Sequence, residues 1–130
     1  MKTWAVAIRL IPLALALTFS SQANADDVLG VWLHESGDAR VKFTPCGDAV
    51  CGWIVWIKAG ADTDARVGDR TFYEMRRVSP DLWRGKTLYP EDGEVYDATM
   101  QLKGPVLTTS GCAIGGLICK SVRWTRVPSN

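Results

Sequence analysis

His34 and Glu35 stand side by side, and an imidazole next to a carboxylate is the pairing that general acid–base catalysis uses. Neighbours on an extended strand point to opposite faces, so these two do not aim at one substrate atom and read as an exposed strand end. Glu91, Asp92 and Glu94 gather around Gly93, but Pro90-Glu91-Asp92-Gly93 is a turn sequence in which solvated acids are ordinary. Asp62, Asp64 and Asp69 are spaced somewhat like a calcium loop, yet the Gly and closing Glu of an EF-hand are misplaced. Cys46, Cys51, Cys112 and Cys119 have neither the Cys-x-x-Cys spacing of zinc and redox sites nor more than one histidine to join them. No Gly-x-Ser-x-Gly, phosphate-cradling Gly loop or dinucleotide fingerprint occurs. These residues point to disulfides rather than to catalysis, with no metal and no cofactor implied.

An even cysteine count suits an oxidising compartment, and the N-terminus agrees. Lys2 and Arg9 precede the apolar run Leu10 to Phe19, then Ser20-Ser21-Gln22 and the small-residue site Ala23-Asn24-Ala25, the order of a secretory signal cleaved after Ala25. As a helix, an apolar run that short spans about 15 Å, half of a bilayer core, so no membrane span is expected in the mature form. The expectation is a signal peptide over 1–25 and a single periplasmic or secreted domain over 26–130. Three disulfide connectivities are possible. Cys46 with Cys51 and Cys112 with Cys119 are favoured because each pair brackets a turn-rich stretch, Gly47-Asp48 and Gly115-Gly116, flanked by strand-like residues.

Without Lys2 and Arg9 the 15 basic residues fall to 13, against 14 acidic ones, for a formal charge of −1. That balance argues against a nucleic-acid partner or a polybasic membrane surface. Five tryptophans remain, Trp32, Trp53, Trp56, Trp83 and Trp124, and in so short a chain they must supply much of the buried area.

These residues must be positioned by strands, because β-rich runs separated by Gly, Pro and Asp recur about every ten residues. The runs are Val28 to His34, Ala39 to Thr44, Trp53 to Ile57, Thr71 to Val78, Trp83 to Tyr89, Glu94 to Leu102, Val106 to Cys112 and Ile118 to Val127. Lys58 to Arg70 reads as a long surface loop that could act as a lid. Eight antiparallel strands joined by mostly short turns can close into an up-and-down barrel with room for one small ligand, a sandwich being the alternative. In the sixth run Tyr96, Ala98, Met100 and Leu102 share the inward face. The run Trp53 to Ile57 is apolar on both faces and needs cover on its outer side. In a barrel the first and last strands are neighbours, so Arg126 could stack over Trp32, and Trp32, Trp124 and Arg126 are expected to close one end.

Several segments resemble domain-of-unknown-function family 2147, a group of small exported bacterial proteins. They are Gly30-Val31-Trp32, Arg40 to Phe43 through Cys46, Cys51 to Trp56, the long block Trp83 to Tyr96 with its Tyr-Pro-Glu-Asp-Gly turn, Gly111-Cys112, and Trp124-Thr125-Arg126. The resemblance implies a periplasmic barrel similar to lipocalins and fatty-acid-binding proteins, and no particular activity. The chain departs from the family pattern between Lys58 and Leu82, with Asp69 to Glu74 where an Asn-Pro and a Gly followed by aliphatic residues are expected.

Two functions compete. A carrier or sensor of a small apolar or amphipathic molecule would use Trp53, Trp56, Tyr96 and Met100 as pocket residues. An envelope interaction module with a filled barrel would instead present an outward strip such as Ile54 with Trp56, or the 58–70 loop, to a protein partner.

Overall fold

In the computed structural model, residues 3, 5, 7–14 and 28–128 are described. The second half of the leader's apolar run and the expected cleavage site after Ala25 lie outside them. Eight strands follow in chain order: β1 Gly30–His34, β2 Ala39–Cys46, β3 Ala49–Ile57, β4 Arg70–Ser79, β5 Leu82–Leu88, β6 Val95–Lys103, β7 Val106–Ala113 and β8 Ile118–Arg126. Each pairs antiparallel with the next, and β1 pairs with β8 through Trp32↔Arg126, Leu33↔Thr125 and His34↔Trp124. The sheet therefore closes into an up-and-down barrel and the sandwich alternative falls. Closure leaves no unpaired edge, which is why so short a chain can be almost wholly strand and turn.

Period-two alternation sets the inner face. On β2, Val41 and Phe43 are buried between outward Arg40 and Lys42, and on β6 Ala98 and Met100 are buried between Asp97, Thr99 and Gln101. Pro45 and Cys46 extend β2 and Ala49 starts β3, so only Gly47-Asp48 is left as the turn. The barrel's first strand begins at Gly30, not Val28. Val28 is fully buried and its carbonyl accepts a 2.9 Å hydrogen bond from Trp32 Nε1.

Turns after β1, β3, β5 and β7 must lie at one end, called here the mouth, and the remaining turns at the other, the base. The base half is filled: Val28, Trp32, Met75, Trp83, Met100 and Leu107 are at most 1% exposed. Arg126 lies over the Trp32 ring at 4.3 Å and donates to the carbonyl of Leu29 at 3.0 Å, so the base is sealed by a stacked guanidinium.

Both disulfides are local, Cys46–Cys51 beside the β2–β3 turn at the base and Cys112–Cys119 across the β7–β8 hairpin at the mouth. Loops this short give about 2 kcal/mol each in the chain-entropy model. Replacing Cys112 and Cys119 together by alanine should lower the melting temperature by about 10 °C, measured by circular dichroism. An unchanged melting curve would show that the β7–β8 hairpin is already held by its ladder alone.

Candidate ligand-binding site

Above the packed base the barrel does not fill. A cavity of about 370 Å³ opens at the mouth. Its floor and walls come from inward positions on six strands: Val41 from β2, Ile54 from β3, Phe72 from β4, Thr87 from β5, Thr109 from β7, and Val122 with Trp124 from β8. Loop residues Ala61, Asp62, Thr63 and Ala65 also line it, so part of the long β3–β4 connection lies at the opening. That loop is tied down where it rejoins the sheet, since Gly68 N–H donates to the Ile54 carbonyl and Ile54 N–H to the Asp69 carbonyl, both at 2.8 Å.

Trp124 is the hub. Its Nε1–H donates to Thr109 Oγ1 at 2.9 Å, Phe72 meets it edge-on at 6.3 Å, and His34 meets it at 5.0 Å with the rings 85° apart. Thr87 and Thr109 are the two buried hydroxyls on this wall, 2% and 4% exposed. Thr87 donates its proton to the Thr71 carbonyl at 2.9 Å. Thr109 Oγ1 accepts from Trp124, so the buried indole N–H is satisfied on this wall.

His34 is held by local geometry. The Ser36 backbone N–H donates to Nδ1 at 3.0 Å, which makes Nδ1 an acceptor and places the neutral ring's proton on Nε2. Burial against Trp124 is the largest influence on this group and pushes its pKa below 6.5, outweighing the attraction of Glu35 and Asp38. A base depressed on folding contributes stability that is complete above the unfolded pKa and is lost as pH falls through the folded one. The His34 Hε1 resonance should therefore titrate with a midpoint below 6.5 in the folded chain, and a midpoint at or above 6.5 would contradict this packing.

The other side of the mouth is a tyrosine wall. The Tyr89 ring meets Tyr96 at 4.9 Å, its hydroxyl reaches the Lys120 carbonyl at 3.3 Å, and the Lys120 ammonium lies 5.7 Å from the ring centre. Gly111 permits this: a Cβ there would come within 2.7 Å of Tyr89 Cζ. Burial raises the Tyr89 pKa. Tyr96 is pushed up to about 12 by its hydrogen bond to the Asp92 carboxylate, whose own pKa that bond lowers.

None of the four expected pocket residues, Trp53, Trp56, Tyr96 and Met100, lines this cavity. Trp53 and Trp56 lie on the outer wall, 36% and 37% exposed, under Arg70 at 5.3 Å and Arg40 at 4.9 Å. Simple alternation from outward Trp53 would turn Trp56 inward. A β-bulge decides otherwise, because Arg40 pairs with Trp56 and Val41 with Ile54, so Val55 is the extra residue and both Val55 and Trp56 face out. Ile54 is correspondingly inward and 5% exposed, which breaks the proposed Ile54–Trp56 strip; the outward strip is Trp53, Val55 and Trp56. Met100 faces inward but belongs to the packed base, and Tyr96 stands at the rim behind Tyr89. Trp124, expected at a closed end with Trp32, stands instead at the bottom of the cavity. Its alternation with Val122 put it on the inner face, but which end that face reached depended on how far β8 runs past β1. Phe72, Thr87 and Thr109 carried one available signal, an inward position near a mouth-side turn.

A closed eight-stranded antiparallel barrel, plugged at one end and hollow at the other, defines a small lipocalin-like protein. The chain belongs to the family described as "uncharacterized protein conserved in bacteria (DUF2147)", which matches residues 30–126. Among solved structures it is similar to HP1028 from the human pathogen Helicobacter pylori, described as belonging to the lipocalin family. The two share 13% identity with a TM-score of 0.63, over 78% of this chain and 83% of that one, a likeness of fold. No curated protein matches the sequence. Among the described residues no helix is long and apolar enough to cross a membrane, which leaves β-barrel spans unaddressed.

Proposed function

We propose that this chain is an exported, periplasmic carrier or sensor that holds one small apolar or amphipathic molecule in the mouth half of its barrel and does not act as an enzyme. The observation that carries this reading is the contrast between the two halves. The same barrel that excludes space around Trp32, Trp83 and Met100 leaves about 370 Å³ above Phe72 and Trp124, within the range that small-ligand pockets occupy. Two of the polar groups that line it are committed to structure: His34 Nδ1 to the Ser36 amide, and the Trp124 N–H to Thr109. The leader reading and two local disulfides support an oxidising compartment outside the cytoplasm.

Native mass spectrometry of the domain purified oxidised from periplasm tests the reading, the expected result being an added small mass released by organic solvent. Because Trp124 is the one tryptophan among the described residues that lines the cavity, the released compound should quench fluorescence in the parent and not in Trp124→Phe. A bare protein that takes up no amphiphile at micromolar concentrations would overturn it.

The interaction module remains a second reading on one observation, the exposed strip of Trp53, Val55 and Trp56. A periplasmic pull-down that recovers the same protein with the parent and with Trp53→Ser/Trp56→Ser would remove it.

A further inference from the structure

The cavity's rim is not electrically neutral, and its sign bears on what can enter. This argument rests on the ligand-binding reading above. Among the described residues that line the cavity, the carboxylates are Glu35, Asp38, Asp62 and Glu91, and the single ammonium is Lys120, for a formal charge of −3. His34 is neutral near pH 7, as its depressed pKa and its engaged Nδ1 require. The acids come from three separate mouth-side connections, β1–β2, β3–β4 and β5–β6, so they ring the opening rather than crowd one loop.

The floor below them is of opposite character. Phe72, Trp124, Val41 and Ile54 offer apolar surface and ring faces, and no basic side chain reaches that depth among the residues lining the cavity. A carboxylate drawn down an alkyl chain's length into this mouth would meet four like charges and one ammonium. That ammonium is already placed over the Tyr89 ring at 5.7 Å. The same contact shows what the mouth accommodates: a cation set against an aromatic face in a field of carboxylates, the arrangement by which quaternary ammonium groups are recognised.

We infer that the site takes a single-tailed amphiphile with a cationic head, an amine or quaternary ammonium, in preference to a fatty carboxylate. The tail lies over Phe72 and Trp124 and the head stays at the rim among Asp38, Asp62 and Glu91. Like-charge exclusion of carboxylates contributes as much to this selectivity as attraction of the cation.

The test compares three ligands of one tail length, decyltrimethylammonium, 1-decanol and decanoate, all below their micellar concentrations, by tryptophan fluorescence and calorimetry on the oxidised mature chain. At low salt the ammonium should bind about tenfold or more tighter than decanoate, with the alcohol between them. Raising sodium chloride to roughly 0.5 M should shrink that ratio severalfold while leaving 1-decanol unchanged. The variant Asp38→Asn/Asp62→Asn/Glu91→Gln should lose the preference and keep 1-decanol binding, which also shows that it has folded. Decanoate binding as tightly as the ammonium would overturn the charge assignment while leaving the cavity reading intact. Failure of all three to bind would overturn the cavity reading and this inference with it.

Discussion

Replacing Trp32 by alanine should remove about 4 kcal/mol of stability, the largest loss expected from any single truncation in this chain. The side chain is fully buried, its Nε1–H satisfies the carbonyl of the equally buried Val28, and its ring carries the Arg126 guanidinium at 4.3 Å. Truncation leaves a void at the base, an unmatched carbonyl and an arginine with no ring beneath it. Because domains of this size have only about 5–15 kcal/mol in hand, the variant should unfold at markedly lower urea, and a midpoint within experimental error of the parent would refute the plug. Arg126 is exposed on its outer side, so a double-mutant cycle on Trp32 and Arg126 should return about 1 kcal/mol of coupling. Zero coupling would leave the ring as packing and the arginine as a backbone clamp on Leu29.

Gly85→Val should cost about 3 kcal/mol or more and prevent accumulation of folded protein at 37 °C. The reason lies across the ladder. Between Tyr73↔Lys86 and Arg76↔Arg84 the strand β4 fits Glu74 and Met75 opposite Gly85 alone, a bulge with Glu74 at φ 47. A Cβ on Gly85 would sit 2.5 Å from the Tyr73 carbonyl oxygen and 2.6 Å from that of Glu74. Both are backbone atoms, and neither can swing aside as the tip of a side chain would. The companion test is Glu74→Gly, which should stabilise by up to about 1 kcal/mol, because glycine adopts positive φ without the steric penalty that glutamate bears. If Gly85→Val melts with the parent while Glu74→Gly is destabilised, the bulge is not where the structure puts it.

These two sites differ in how far they could be read beforehand. Gly30-Val31-Trp32 and Trp124-Thr125-Arg126 were legible as the first and last strands of a barrel, because alternation and turn chemistry are written locally. The β4 bulge was not, since nothing in Thr71 to Val78 marks Glu74 as left-handed. The candidate site was less legible still. Trp53 and Trp56 were natural choices for a pocket because tryptophan buries more area than any other side chain. Thr109 and Phe72, which do line it, are unremarkable in composition.

What the sequence indicated alone was mostly of short range: eight strands from period-two patterning, the Asp-Gly and Gly-Gly turns, and, favoured among three connectivities, disulfides spanning 5 and 7 residues. Each rests on groups a few residues apart, so the local chain already contains both partners. The tertiary structure decided which wall faces in and which half is hollow. One extra residue in β3, visible only against β2, turns Trp56 from the interior to the outer surface. Whether space is filled depends on what the adjoining segments bring to each end of the barrel. At the base Val28 and Arg126 close over Trp32, while at the mouth no described residue fills the space above Trp124 and a cavity remains.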